Sequence, residues 1–272
     1  KSVERVKDAD IVIFASGISP SLEGEEMGVN LPGFKKGDRT DIELPAVQRE
    51  LIDALHRAGK KIILVNCSGS PIGLEPETQK CEAILQAWYP GQQGGKAVAE
   101  VLFGDYNPAG KLPVTFYRNV SQLPDFEDYN MTGRTYRYMQ DVPLFPFGYG
   151  LSYTTFGYGK TVLDKNELTA GQSLKLTVPV TNTGKRNGEE VVQVYLRKQG
   201  DAEGPIKTLR AFKRVSIPAG KTVNVEFDLK DKELEWWDDQ SNTVRVCPGN
   251  YDIMVGGSSK EEDLQRTTIA IK

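Results

Sequence analysis

The feature that most constrains this chain is a change of hydrophobic period part-way along it. In the first half, the short apolar runs Ile11-Val12-Ile13-Phe14-Ala15 and Ile62-Ile63-Leu64-Val65 flank a stretch with Val47, Leu51, Ile52 and Leu55 at helical spacing. From Thr161 onward the spacing falls to two. Examples are Leu174-Lys175-Leu176-Thr177-Val178-Pro179-Val180 and Val223-Asn224-Val225-Glu226-Phe227-Asp228-Leu229, punctuated by Asn-Thr-Gly, Pro-Ala-Gly and Pro-Gly-Asn turns. A period near 3.6 lines one face of a helix, and a period of two lines one face of a strand. The chain therefore reads as an α/β sandwich with a mainly parallel sheet, followed by an all-β sandwich. We place the first over residues 1–115 and the second over 161–272, with a Tyr- and Phe-rich linker over 116–160 packed on the domains.

Local signals fill in the first half. Residues 11–15 read as a strand buried on both faces. Pro45 suits a first helical position and Gly59 a cap, so a helix is expected over 45–58. Ile84 to Trp88 reads as a third strand, 90–95 as a turn, and Lys96 to Phe103 as an amphipathic helix. The aperiodic stretch 16–44 is too long for an ordinary connection, and such loops are usually functional. Ligands of open parallel sheets bind at the C-terminal ends of the strands, where this loop and the loop at Cys67-Ser68-Gly69-Ser70-Pro71 both lie.

Composition removes several classes. With 39% hydrophobic and 26% charged residues the chain is not of disordered type. Its longest apolar runs span about five residues, whereas a membrane helix needs roughly 20, so no membrane partner is expected. A net charge of −3 without a basic block argues against nucleic acid. The single histidine, His56, lies on the predicted helix, and Cys67, Cys81 and Cys247 show no C-x-x-C spacing, so no metal site is expected. Three cysteines are not a disulfide framework, although one pair could bridge. The opening Lys1-Ser2-Val3-Glu4 runs straight into a strand-like segment, as in the middle of a longer protein. Chemistry must come from carboxylates, hydroxyls, amides, Arg or Lys.

The richest cluster is Leu22-Glu23-Gly24-Glu25-Glu26-Met27, three carboxylates in four residues directly after a predicted strand. Such a cluster can be mere solvation. A carboxyl partly desolvated there can instead serve as a general acid, and a second carboxylate would complete a glycosidase pair. Asp38 and Arg39, in the same loop, read as an ion pair or as a brace for the glutamates. The run Pro90-Gly91-Gln92-Gln93-Gly94-Gly95-Lys96-Ala97 fails the phosphate-loop pattern at Pro90 and Ala97; Gln92 is retained as a polar contact to a ligand. Ser68 and Ser70 lack a nearby base, which disfavours a serine-hydrolase triad. Tyr136, Tyr138, Phe145, Phe147, Tyr149, Tyr153 and Phe156 read as packing rather than sugar platforms. A carbohydrate-binding or scaffolding module is a rival reading.

Longer segments carry a resemblance. The run Ala87 to Ala97, Val101-Leu102-Phe103-Gly104-Asp105-Tyr106-Asn107-Pro108-Ala109-Gly110-Lys111-Leu112-Pro113-Val114-Thr115-Phe116, and Phe145 to Thr154 resemble the C-terminal α/β domain of glycoside hydrolase family 3. Gly37-Asp38-Arg39-Thr40 and Glu43-Leu44-Pro45 fit the same pattern. Residues 160–272 resemble the immunoglobulin-like, fibronectin type III-like domain that follows in many members. Ser19 to Met27 is most similar to the β-xylosidase branch, with β-glucosidases sharing the rest. The resemblance implies a retaining, exo-acting β-glycosidase acting on a β-linked oligosaccharide or aryl glycoside, with no metal or organic cofactor. It implies an acid/base glutamate on this domain, which the Glu-Gly pattern assigns to Glu23, with Glu25 and Glu26 as alternatives. It also implies an aspartate nucleophile on an N-terminal β/α barrel, which no segment here resembles, so the barrel would lie in the same polypeptide or in a separate chain. An extracellular or periplasmic location is implied by the same family.

Overall fold

A computed structural model describes residues 2–23 and 27–272. The chain divides into two compact units, the first made of Lys1–Phe103, Phe116–Tyr129 and Asp141–Phe145, the second of Gly104–Thr115, Asn130–Gln140 and Pro146–Lys272. The aromatic segment 116–160 is thus shared between them. Phe116 and Phe145 pair through their backbones in the first unit, while Tyr136 stacks on Phe147 at 4.3 Å in the second.

The first unit runs α1 (Ser2–Arg5), β1 (Ile11–Gly17), β2 (Phe34–Lys35), β3 (Asp38–Arg39), α2 (Ala46–Arg57), β4 (Lys61–Cys67), α3 (Glu75–Thr78), β5 (Ala83–Gln86) and α4 (Gly94–Phe103). Strands β1, β4 and β5 form a parallel sheet in the order β1-β4-β5, with Ile13 opposite Ile63 and Val65 opposite Leu85. Helix α2 lays Ile52 and Leu55 into one apolar cluster with Ile62 and Leu64 of β4 and with Ile18, Ile72 and Leu74 of the loops. Gly59 ends α2 in the left-handed region at φ +71, where glycine is free of a Cβ clash.

Three expectations need correction here. Strand β1 is buried on one face only: Val12 and Phe14 pack against the α2 cluster, but Ile11 and Ile13 are 52% and 50% exposed. The strand lies at the edge of the sheet, and no described element covers its second face. Val47 does not join the apolar stripe of α2, being 72% exposed. At that turn Gln48 faces the sheet instead, and its amide pairs with both the N–H and the C=O of Gly17 at 2.9 and 2.7 Å. Adjacent helix residues point about 100° apart, so Val47 is turned away. Finally, β5 stops at Gln86 rather than at Trp88, because Trp88 takes a left-handed backbone at φ +57.

The second unit contains α5 (Thr135–Tyr138), β6 (Phe156–Tyr158), β7 (Val162–Leu163), β8 (Glu167–Leu168), β9 (Leu174–Asn182), β10 (Gly188–Lys198), β11 (Thr208–Ile217), β12 (Thr222–Leu229), α6 (Asp231–Leu234), β13 (Trp236–Asp238), β14 (Thr243–Arg245), β15 (Gly249–Gly256) and β16 (Gln265–Ile271). A five-stranded sheet in the order β11-β10-β15-β16-β8 and a four-stranded one built on β12-β9-β6, with β7 also on β9, make the sandwich. The period-two pattern does what it predicts. Leu174, Leu176, Val178 and Val180 of β9 face inward with Val225, Phe227 and Leu229 of β12 and Val192, Val194 and Leu196 of β10. Among the described residues no helix is long and apolar enough to cross a membrane.

Candidate active site

The C-terminal ends of all three parallel strands meet at one carboxyl, that of Glu23. β1 delivers it. Gly17 sits at φ +117 so close to β4 that a Cβ there would stand 1.8 Å from the carbonyl oxygen of Cys67, so only glycine allows the exit. Ile18 N–H then donates to that same carbonyl at 3.0 Å, and Glu23 follows one turn later.

The loops leaving β4 and β5 supply donors. Ser70 Oγ–H donates to Glu23 Oε1, Tyr89 O–H donates to Oε2, and Gly69 N–H donates to Oε2 at 3.3 Å. Gly69 must be bare, because a Cβ would lie 2.6 Å from the Tyr89 ring and 3.1 Å from Glu23 Oε2. Burial first, and the hydrogen bond to Glu23 second, push the Tyr89 hydroxyl up to about 12, so it stays a donor at neutral pH. Trp88, whose strained turn presents Tyr89, packs edge-on against Phe116 at 6.1 Å. A bulky residue held in that region costs on the order of 1–3 kcal/mol, a strain that tends to occur at functional sites.

Beneath the carboxyl lies a polar floor. Buried Asn66, the next-to-last residue of β4, donates through Nδ2 to Gln86 Oε1 at 2.6 Å and to Ser68 Oγ at 3.2 Å. Ser68 Oγ–H in turn donates to the Ser70 carbonyl at 2.8 Å. Ser68 is consumed by this floor, and Ser70 serves Glu23 as a donor.

Asp38 and Arg39 form half of a small hairpin, Phe34 opposite Arg39 and Lys35 opposite Asp38. Lys36 and Gly37 take φ +54 and +89, the paired left-handed conformations of a tight two-residue hairpin turn. Asp38 is exposed, and no ion pair joins it to Arg39 among the described residues. Arg39 points inward. Its Nη2 donates to the Glu43 carbonyl at 3.0 Å, its Nη1 reaches Ser70 Oγ at 3.5 Å, and its guanidinium lies over Phe34. Burial lowers its pKa, against the pull of Glu23, Asp41 and Glu43. Glu43 is anchored in turn. Arg49 Nη1 donates to Glu43 Oε2 at 2.6 Å, while Nε and Nη2 grip the two oxygens of fully buried Glu77 at 2.8 and 3.0 Å. Gln92 is exposed in the turn before α4. Glu25 and Glu26 lie outside the described residues.

Of the side chains that meet at this carboxyl, sequence reasoning singled out Glu23 and Arg39 but not Tyr89 or the donor role of Ser70. Their one local signal was position, just beyond the C-terminal ends of β5 and β4.

The Glycosyl hydrolase family 3 C-terminal domain matches residues 1–153. The chain belongs to glycoside hydrolase family 3. The Fibronectin type III-like domain matches residues 190–259. All of this chain is 57% identical to 31% of a xylan 1,4-beta-xylosidase of Xylanibacter ruminicola. Some 95% of it is 37% identical to 34% of a periplasmic beta-glucosidase of Salmonella typhimurium. Among solved structures, a β-glucosidase from Erythrobacter marinus superposes on the whole chain with TM-score 0.86 at 39% identity, over 36% of its own length. A β-glucosidase from Listeria innocua in complex with glucose does so over 99% of the chain, with TM-score 0.82 at 29% identity, over 38% of its own length. The chain thus spans about a third of the length of the family 3 relatives it matches.

Proposed function

We propose that this chain is the C-terminal part of a retaining, exo-acting β-glycosidase, foremost a β-xylosidase, and that Glu23 is its general acid/base. The observation that carries the reading is the place of one carboxyl, on the loop leaving β1 and gripped by donors from the loops leaving β4 and β5. That is where a parallel sheet presents its ligand-binding groups. The nucleophile is an aspartate of a β/α barrel outside this chain, in the same polypeptide or in a partner, set about 5–5.5 Å from the acid/base carboxyl.

In the first step protonated Glu23 gives its proton to the glycosidic oxygen as the bond to the anomeric carbon breaks, and the barrel aspartate forms a bond to that carbon. In the second step the Glu23 carboxylate takes a proton from water, whose oxygen attacks the anomeric carbon and displaces the aspartate. Carboxyl groups and water complete both steps, so neither metal nor organic cofactor is required. Arg39 braces the acid/base loop from the hairpin in which Asp38 pairs with Lys35, and Gln92 offers a polar contact to the sugar. Substrates are β-linked oligosaccharides or aryl β-glycosides. Xylose ranks first because the 57% identical relative is a xylosidase, and glucose second because other relatives are glucosidases. The periplasmic relative supports a periplasmic or extracellular setting.

Glu23→Ala in the barrel-bearing enzyme should lower kcat/KM on xylobiose by about 10²–10⁴-fold. Activated nitrophenyl β-xyloside, whose leaving group needs no proton, should lose far less. Equal losses on both substrates would refute the assignment. The selective loss appearing in Glu25→Ala or Glu26→Ala instead would move the role to that residue. This chain without a barrel should show no enzyme-like hydrolysis of the nitrophenyl glycoside, and a normal rate would sink the shared site.

A further inference from the structure

We propose that Tyr89 and Ser70 are positioning residues that fix the orientation of the Glu23 carboxyl, a role that rests on Glu23 being the acid/base. The two oxygens of that carboxyl are not equivalent. Oε2 accepts from both Tyr89 O–H and Gly69 N–H, whereas among the described residues Oε1 accepts from Ser70 alone. A carboxylate oxygen offers two lone-pair sites, so Oε2 is filled and Oε1 keeps one open. Oε1 is therefore the atom that exchanges the proton with the sugar, and Oε2 is the atom tied to the fold.

The direction of the Ser70 bond is set from behind. Arg39 Nη1 can only donate, so its approach to Ser70 Oγ leaves the serine hydrogen for Glu23. Arg39 is held by the Glu43 carbonyl, so this alignment is built into the β3 hairpin rather than left to a free side chain. On the other side, the left-handed turn at Trp88 and the bare Gly69 exist where they let the Tyr89 ring reach Oε2. Among the described residues, the titratable and charged groups around Glu23 are Arg39 from β3 and Tyr89 from the loop after β5, with Asp41 and Glu43 facing Arg39.

The test uses the barrel-bearing enzyme with Tyr89→Phe, Ser70→Ala and, as reference, Glu23→Gln. Tyr89→Phe should lower kcat on xylobiose about tenfold with little change in KM, and should lower it far less on nitrophenyl β-xyloside. Ser70→Ala should split kcat from KM, and one substrate from the other, in the same way. Wild-type kcat on xylobiose in both variants, each with wild-type melting temperature, overturns the proposal. Should Tyr89→Phe fail to fold, the kcat of Ser70→Ala on the two substrates decides alone. If Glu23→Gln shows leaving-group dependence while the two hydroxyl variants do nothing, the positioning role falls and the acid/base reading stands. If Glu23→Gln lacks that dependence, the acid/base reading itself has failed.

Discussion

Two strands of this molecule end near a fully buried asparagine, and the two asparagines are used differently. Asn182, at the end of β9 in the sandwich, has every polar site filled. Its Nδ2 donates to the carbonyls of Arg186 and Ile217 at 2.8 and 2.9 Å, and its Oδ1 accepts from Thr154 Oγ1 and Gly184 N–H at 2.6 and 3.1 Å. Asn66, near the end of β4, gives both of its donated bonds to side chains, Ser68 and Gln86, and its Oδ1 has no partner among the described residues. The first ties down backbone and closes a turn. The second supports other side chains, which support Ser70 and through it Glu23. Filling every site of a buried amide, as at Asn182, avoids the cost of an unpaired polar group, whereas Asn66 spends its two donors on the side chains beneath the rim and leaves its oxygen unpaired among the described residues.

The comparison can be sharpened by substitution, and urea unfolding of this chain is the measurement. The largest loss should come from Arg49→Met under the site. It leaves the fully buried Glu77 carboxylate without its two-point partner, an uncompensated charge costing about 3–5 kcal/mol. A loss below roughly 1 kcal/mol would mean that Glu77 finds water or another cation, and the polar base of the first unit would then be softer than the sandwich. Asn182→Ala should follow, at about 2–4 kcal/mol, because it abandons four bonds, one of them to the buried carbonyl of Ile217. Asn66→Ala should cost least, about 1 kcal/mol. It removes two donated bonds but also removes an oxygen that gains nothing from the fold, and Ser68 Oγ keeps its bond from Gln86 Nε2 at 3.2 Å. Equal costs for the two asparagines would erase the distinction.

Legibility followed the range of the forces involved. Strands β1 and β4 and helices α2 and α4 were readable because apolar periodicity and Gly or Pro punctuation are local. The exposure of Ile11 and Ile13 was not, since an apolar run does not state what covers each face. Trp88 looked like the continuation of a strand because Ile84 to Trp88 stays largely apolar, yet a single left-handed residue ended it. The hairpin at Lys36-Gly37 lacked the Asn-Gly signature of its turn and so passed as featureless loop. Glu23 stood out by position. Ser70 and Tyr89 could not, since they lie 47 and 66 residues away and meet it only after three strands align.

The parallel arrangement of β1, β4 and β5 has an evolutionary corollary. The ladder that sets their alignment, from Ile11–Lys61 to Asn66–Gln86, lies wholly below the loops that make the mouth. Lengthening or exchanging one loop therefore leaves the scaffold in register, and a lineage can change what the rim presents without re-laying the sheet beneath it.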